Sequence, residues 1–206
     1  MLLILSSKIL NMRNAMTSKI VRHLLVLSFI AGFSYTASAV TGPPSEGGFL
    51  PDIVLSVPQN SDQKKYLGLS GEATFTIPQI NASVVIVEIF SMYCPYCQAE
   101  APSLNKLYYK IQNDRRLVGR FKLIGIGAGN TAFEVEYFRN TYKIPFPLFP
   151  DDDFSIHKKI GEVRTPYFIA VGINKNGTYR ILYSHPGRLG DHDRFIKMLL
   201  QRAGLK

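Results

Sequence analysis

Chemistry in this sequence concentrates at Cys94 and Cys97, the only two cysteines in 206 residues, within the stretch SMYCPYCQAE at 91–100. Two intervening residues let one helical turn bring both sulfurs within bonding reach, so the pair can close to a disulfide and reopen as a two-electron switch. The preceding run SVVIVEIF (83–90) is continuously apolar, the pattern of a strand covered on both faces. After the cysteines, Leu104, Leu107, Tyr108 and Ile111 follow helical spacing. Cys94 is therefore expected where a buried strand gives way to a helix. The unpaired N–H groups and partial positive charge of a helix start stabilise a thiolate, lowering its pKa below the free value of about 8.5. Pro95 suits the first helical position, where a missing N–H has no partner to lose. In this arrangement Cys94 attacks a substrate disulfide and Cys97 resolves the mixed disulfide.

Two other uses of a cysteine pair fit less well. A structural bridge closing so short a loop removes little chain entropy, and such bridges more usually join distant parts of a chain. A closed zinc site needs four nitrogen or sulfur ligands, and no second C-x-x-C or H-x-x-x-H is present. His157, His185 and His192 read as surface or loop residues. No cofactor beyond the cysteine pair and no metal are expected.

The elements that must position the pair alternate along the chain. Downstream of the first helix, FKLIGIGAG reads as a second buried strand, and NTAFEVEYFRNTY as a helix capped by Asn130 or Thr131 with Glu134 in its first turn. FPLF is a short strand. DDDFSIHKKIG is a short helix whose acids at 151–153 cap its start rather than hold calcium, since no EF-hand spacing follows. TPYFIAVGI, a turn at NKNG and TYRILYS make an antiparallel pair, and DHDRFIKMLLQRAG closes as an amphipathic helix. Upstream, DIVLSV, KKYLGL and ATFTIPQI are short runs between turn residues, consistent with a small β element. The order predicts an α/β domain, a mixed sheet flanked by helices.

The first 39 residues contain Lys8, Arg13, Lys19 and Arg22, no acid, the apolar run LLVLSFIAGF and then SYTASAV. That is the order of a secretory signal, with cleavage expected after Ala39; an uncleaved N-terminal membrane anchor is the alternative. The apolar core is short of the roughly 20 residues that span a bilayer. Met16 followed by TSKIVRH would by itself begin a signal of ordinary length. Residues 40–51, with three prolines and three glycines, read as a flexible leader, and the folded domain is expected over 52–206. The first 39 residues hold four of the 24 Lys and Arg and none of the 15 acids, so the remainder is only +5. Its basic residues are scattered, which argues against nucleic acid. The 167 residues left after cleavage suffice to bury roughly 70% of the unfolded surface without staples.

The segment VVIVEIFSMYCPYCQAEAPSL resembles the thioredoxin superfamily, and within it the exported TlpA/ResA-like thiol-disulfide oxidoreductases, whose C-x-x-C is followed by x-x-E-x-P-x-L, here Glu100, Pro102 and Leu104. IGEVRTPYFIAVGINKNG is similar to that family's cis-proline region, with Thr165 and Pro166 in that place, and LPDIVLSV to its domain opening. The resemblance implies a thioredoxin fold with an N-terminal β extension and a strand-helix insertion before the cis-proline strand. It departs from the family at Tyr93, where a tryptophan commonly stands, and in Pro95-Tyr96, the dipeptide of glutaredoxins.

The resemblance also implies roles. Glu88, the one charge inside the apolar strand, sits where thioredoxins carry a buried acid. Burial would raise its pKa and make it a proton acceptor for Cys97, unless it faces solvent or a buried cation. Glu100, one turn after Cys97, tunes the same thiol or is an ordinary exposed helix residue. A cis bond at Pro166 would aim backbone groups of Thr165 at Cys94; an ordinary trans proline is the alternative. Tyr93, Pro95, Tyr96, Thr165 and Pro166 are the expected substrate-binding residues. The implied function is a periplasmic disulfide reductase, monomeric, acting on proteins with cysteine pairs, apocytochrome c foremost, and recharged by a membrane disulfide-relay reductant. An oxidase or isomerase with the same site is the alternative, followed by a metallochaperone or redox-regulated binding module.

Overall fold

Runs of β-branched and other apolar residues with no polar alternation have no solvent face, so they assemble where helices cover both sides. The computed structural model describes residues 42–71 and 73–205, and over this range the chain is one compact unit. The proposed signal sequence, its cleavage site and Met16 lie outside the described residues.

Strand β3 (Val84–Phe90) is buried at every position and pairs in parallel with β4 (Phe121–Ala128), also buried throughout. Strand β5 (Leu148–Asp151) extends the parallel side. On the other flank β6 (Tyr167–Ile173) runs antiparallel to β3, and β7 (Tyr179–Pro186) antiparallel to β6, giving the order β5-β4-β3-β6-β7. The NKNG turn joining β6 to β7 closes with Asn174 N–H donating to Thr178 O at 2.8 Å, and Gly177 takes a φ of +81°.

The two faces of the sheet carry different layers. Helices α2 (Pro95–Asn113), α3 (Ala132–Tyr142) and α5 (His192–Arg202) cover the face of Val84, Ile86 and Phe90. The other face, with Val85, Val87 and Ile89, is covered by β1 (Val54–Ser56), α1 (Ser61–Leu67), β2 (Thr74–Thr76) and α4 (Ser155–Lys159). Burying each large apolar side chain contributes roughly 1.5–3 kcal/mol, so both layers bind the sheet firmly. Close approach of α3 depends on Gly127: a Cβ there would lie 2.9 Å from Val135 Cγ2 and 3.1 Å from Asn130. The mixed sheet, the antiparallel β1-β2 extension and the β5-α4 insertion before β6 agree with the expected architecture.

KKYLGL is not a strand but the end of α1, because Asn60 accepts from Asp62 and Gln63 N–H and Gly68 stops the helix at φ +67°. A polar cap upstream of the run decided its conformation, and the run alone did not show it. Residues 42–51, expected to be flexible, are fastened to the domain at several points over their described length. Gly47 N–H donates to Ile181 O, Ile181 N–H donates to Gly48 O, Leu50 is buried, and Glu46 pairs with Arg202 at 2.7 Å. The acids at 151–153 do cap α4: Asp151 accepts from Ile156 and His157 N–H, both at 2.9 Å.

Replacing the α1 cap tests that assignment. Asn60→Ala should cost about 1 kcal/mol in chemical denaturation while Asn60→Asp should cost little; equal losses would place the stability of α1 elsewhere.

Candidate functional site

The abrupt change from strand to helix between Phe90 and Pro95 places Cys94 at the N-cap of α2, with extended φ and ψ of −84° and 115°, and Pro95 in the first turn. The intervening loop is held by side chains. Asn130, fully buried after β4, accepts from Met92 N–H at 2.8 Å, and Gln98 Nε2 donates to Met92 O at 2.7 Å. The Tyr93 hydroxyl donates to Glu134, which closes a capping box with Thr131 at the start of α3. Tyr93 and Tyr96 are 65% and 70% exposed, so two rings stand in solvent on either side of Cys94.

Cys94 and Cys97 are free thiols with contrasting surroundings: Cys94 is partly exposed and Cys97 has no exposed surface. Cys94 Sγ donates to Thr165 O at 3.3 Å. The peptide bond from Thr165 to Pro166 is cis. A carbonyl is only an acceptor, so this contact favours the protonated thiol. Burial likewise raises the Cys94 pKa. Donors from the Thr165 side chain, the Cys97 thiol and the N–H groups of Cys97 and Tyr96 outweigh burial and leave it below its ordinary value. Cys97 goes the other way, pushed far up by burial and by the charges of Glu88 and Cys94, with only a hydrogen bond from Ser91 opposing.

Beneath them lies Glu88, 4% exposed on the central strand, its Oε1 without a hydrogen-bond partner among the described residues. It faces neither solvent nor a buried cation. Burial, then the charges of Glu100 and Cys94, push its carboxyl well above the usual range. Glu100 is buried as well, at 1% exposure, with Arg188 Nε donating to Oε2 at 2.5 Å and Leu189 N–H to Oε1 at 3.2 Å. The reading of Glu100 as an exposed helix residue is thereby excluded.

The structure thus brings Cys94, Cys97, Glu88, Glu100, Thr165 and Pro166 to one end of the sheet, with Tyr93, Pro95 and Tyr96 on its exposed rim. Asn130 and Arg188 complete the arrangement and were not singled out from the sequence as site residues. Arg188 sits in HPGRLG, which has no periodicity to place it. An acid at Glu100, on the helical stripe of Cys97 and Leu104, was itself a sign that a cation must reach in. No group of three or more His, Cys, Asp or Glu among the described residues could hold a metal ion. His157 contacts Val163 O, His185 pairs with Glu46, and His192 contacts Ser103.

These surroundings set an alkylation pattern. Cys94 should react with iodoacetamide with a midpoint below the free-thiol value of about 8.5, and Cys97→Ala, which removes one donor, should move that midpoint up. Peptide mass spectrometry across pH measures both; a Cys94 midpoint at or above the free value would contradict the donor set described.

Residues 55–183 match the AhpC/TSA family. Thiol-disulfide oxidoreductase ResA of Halalkalibacterium halodurans is 25% identical over 139 residues, 66% of this chain and 72% of the relative. Among solved structures, StoA from Bacillus subtilis superposes with a TM-score of 0.50 at 18% identity, covering 73% of this chain and 98% of that one. The thioredoxin domain of a thiol-disulfide oxidoreductase from Bacteroides vulgatus gives 0.55 at 14% identity, covering 75% and 98%. The likenesses show a thioredoxin fold, and the relatives named for an activity are thiol-disulfide oxidoreductases. With the family match spanning more than half of its length, the chain belongs to the AhpC/TSA family.

Proposed function

We propose that this chain is an exported protein-disulfide reductase whose working group is the Cys94-Pro95-Tyr96-Cys97 dithiol. The observation that carries the reading is the contrast between the sulfurs: one partly exposed, acidified thiol at a helix start, and one fully buried, strongly protonated thiol near a carboxyl with one oxygen unpartnered among the described residues. Such a pair divides attack from resolution.

In the first step the Cys94 thiolate attacks one sulfur of a client disulfide. A Cys94–client bond forms, the client S–S bond breaks, and the departing client sulfur takes a proton from solvent. In the second step Glu88 accepts the Cys97 proton, and the Cys97 thiolate attacks Cys94 Sγ. The Cys94–Cys97 disulfide forms as the Cys94–client bond breaks, the second client sulfur leaves and takes a proton from solvent, and two electrons have passed from the dithiol to the client. Burial of Glu88 makes it basic enough to take a proton from a thiol that is itself hard to ionise. Thr165, next to Pro166, offers backbone beside Cys94 to an extended client strand, and the exposed rings of Tyr93 and Tyr96 offer it apolar contact.

The secretory pattern of residues 1–39 supports a periplasmic site, reached as a cleaved or membrane-anchored form. No helix among the described residues is long and apolar enough to cross a membrane. Clients are envelope proteins with cysteine pairs, with apocytochrome c the leading case, and a membrane disulfide-relay protein returns the electrons. The direction is set by the reduction potential. An acidified Cys94 stabilises the dithiol form, and Pro95-Tyr96 is the glutaredoxin dipeptide, so an oxidase or isomerase is the second reading. Equilibration with dithiothreitol or glutathione decides between them: a value near thioredoxin's roughly −270 mV supports the reductase and one near DsbA's roughly −120 mV the oxidase.

Cys97→Ala should trap clients as mixed disulfides in the parent cell, with capture abolished by Cys94→Ser in the same background; no capture would sink the assignment. Glu88→Gln tests the proton step. In the wild type, resolution should quicken with pH as Glu88 ionises through its raised midpoint, and the variant should be slower without that inflection. The sign on stability is opposite. A carboxyl whose folded pKa lies above its unfolded value of about 4.3 stabilises below that value, and the contribution is lost as pH rises through the folded midpoint. Glu88→Gln should therefore be the more stable protein at pH 8, and a thermal melt showing it less stable there would contradict the buried carboxylate.

A further inference from the structure

Glu100 lies on the sheet-facing side of α2, packed in the layer of Cys97, Ala101 and Leu104. Its hydrogen-bond partners come from the connection between β7 and α5. Arg188 Nε and Leu189 N–H hold the two carboxylate oxygens at 2.5 and 3.2 Å, and Arg188 Nη2 donates to Ala99 O at 3.3 Å. The connection is itself anchored, since Gly187 N–H donates to Pro166 O at 2.8 Å. Gly187 and Gly190 bracket the segment with φ of +88° and +68°, backbone that other residues adopt poorly. One short segment therefore ties the cis-proline, the helix after Cys94 and a buried acid together.

Glu88 enters the same layer. Period two along β3 puts it on the face of Ile86 and Phe90, which pack with α2. Opposite it on β4 and β6 stand Gly125 and Phe168, neither of which titrates. The ionisable groups that bear on it are Glu100 and Cys94, with Cys97 coupled to it in turn. From α5, His192 bears on Glu100 and is itself surrounded by Lys110, Asp191 and Asp193. Arg188, half in solvent and always charged, is the ion-pair partner of Glu100.

We propose that Arg188 is a positioning residue: by fixing and neutralising Glu100, it sets how readily Glu88 takes and returns the proton exchanged with Cys97. The proposal rests on the reading of Cys94 and Cys97 as the exchanging dithiol. Without the guanidinium, the carboxylate of Glu100 presents an uncompensated charge in a low-dielectric layer shared with Glu88, and like charge disfavours ionisation of its neighbour. Arg188 acts on the dithiol only through Glu100, which makes the two residues one unit.

The test is a carboxyl carbon-13 NMR titration of Glu88 in the reduced full chain, with thermal melting to confirm folding. Arg188→Ala should raise the Glu88 midpoint by about one pH unit. Arg188→Lys should restore it close to the wild-type value. In a Glu100→Gln background, Arg188→Ala should produce no further shift. Should Arg188→Ala fail to fold, Arg188→Gln, which keeps donors without charge, carries the same expectation. An unmoved or lowered midpoint, or an equal shift with and without Glu100, overturns the proposal. This titration uses no client, so a wild-type protein that exchanges no disulfides would sink the functional reading and leave the titration intact, and the reverse holds as well.

Discussion

A helix that starts at Cys94 directs its first free N–H groups and the positive end of its dipole toward a single sulfur, and the site works only while that start stays fixed. Much of the surrounding polar structure serves this constraint. Asn130 and Gln98 saturate the backbone of Met92 from two directions, Cys94 N–H is held by Ser91 O at 3.0 Å, and Cys94 O receives Gln98 N–H. A loop held at Met92 and Cys94 in this way cannot easily drift, so fixed dipoles share in solvating the thiolate.

The two cysteines differ because the sheet has two ends and an interior, and α2 passes from one to the other within a turn. Cys94 sits above the strand ends where solvent reaches; Cys97, three residues on, already packs with Phe90 and Ala101. Burial raises Cys97, hydrogen-bond donors at the helix start lower Cys94 against its own lesser burial, and the two effects together separate the thiols. The buried carboxyls add a second asymmetry. Among the described residues Glu88 has an oxygen with no partner, while Glu100 has both oxygens engaged. An unsatisfied buried polar atom costs stability, and a local cost of that kind beside a buried thiol is typical of functional sites.

Much of this was legible in the sequence because the relevant signals are periodic or covalent. Continuous apolar runs gave β3, β4 and β6, helical spacing gave α2, and the spacing of the cysteines with Pro95 located the helix start. The acid in an apolar strand marked Glu88 as buried. What escaped depends on contacts distant in sequence or on caps. The helix at 61–67 was missed because its identity rests on the Asn60 side chain and Gly68, while its apolar content is slight. Asn130 read as a helix cap, yet its side chain serves Met92, 38 residues away. Arg188 carries no local pattern, and only the burial of Glu100 calls for it.

The segment at 47–48 has a further meaning for the sheet as a whole. A five-stranded sheet has two rims, and an unguarded rim is a template on which foreign strands can assemble. Here Ile181 on the β7 rim is already paired with Gly47 and Gly48, and the β5 rim is only four residues long and contains Pro150, which offers no N–H. Both flanks thus resist sheet-to-sheet aggregation.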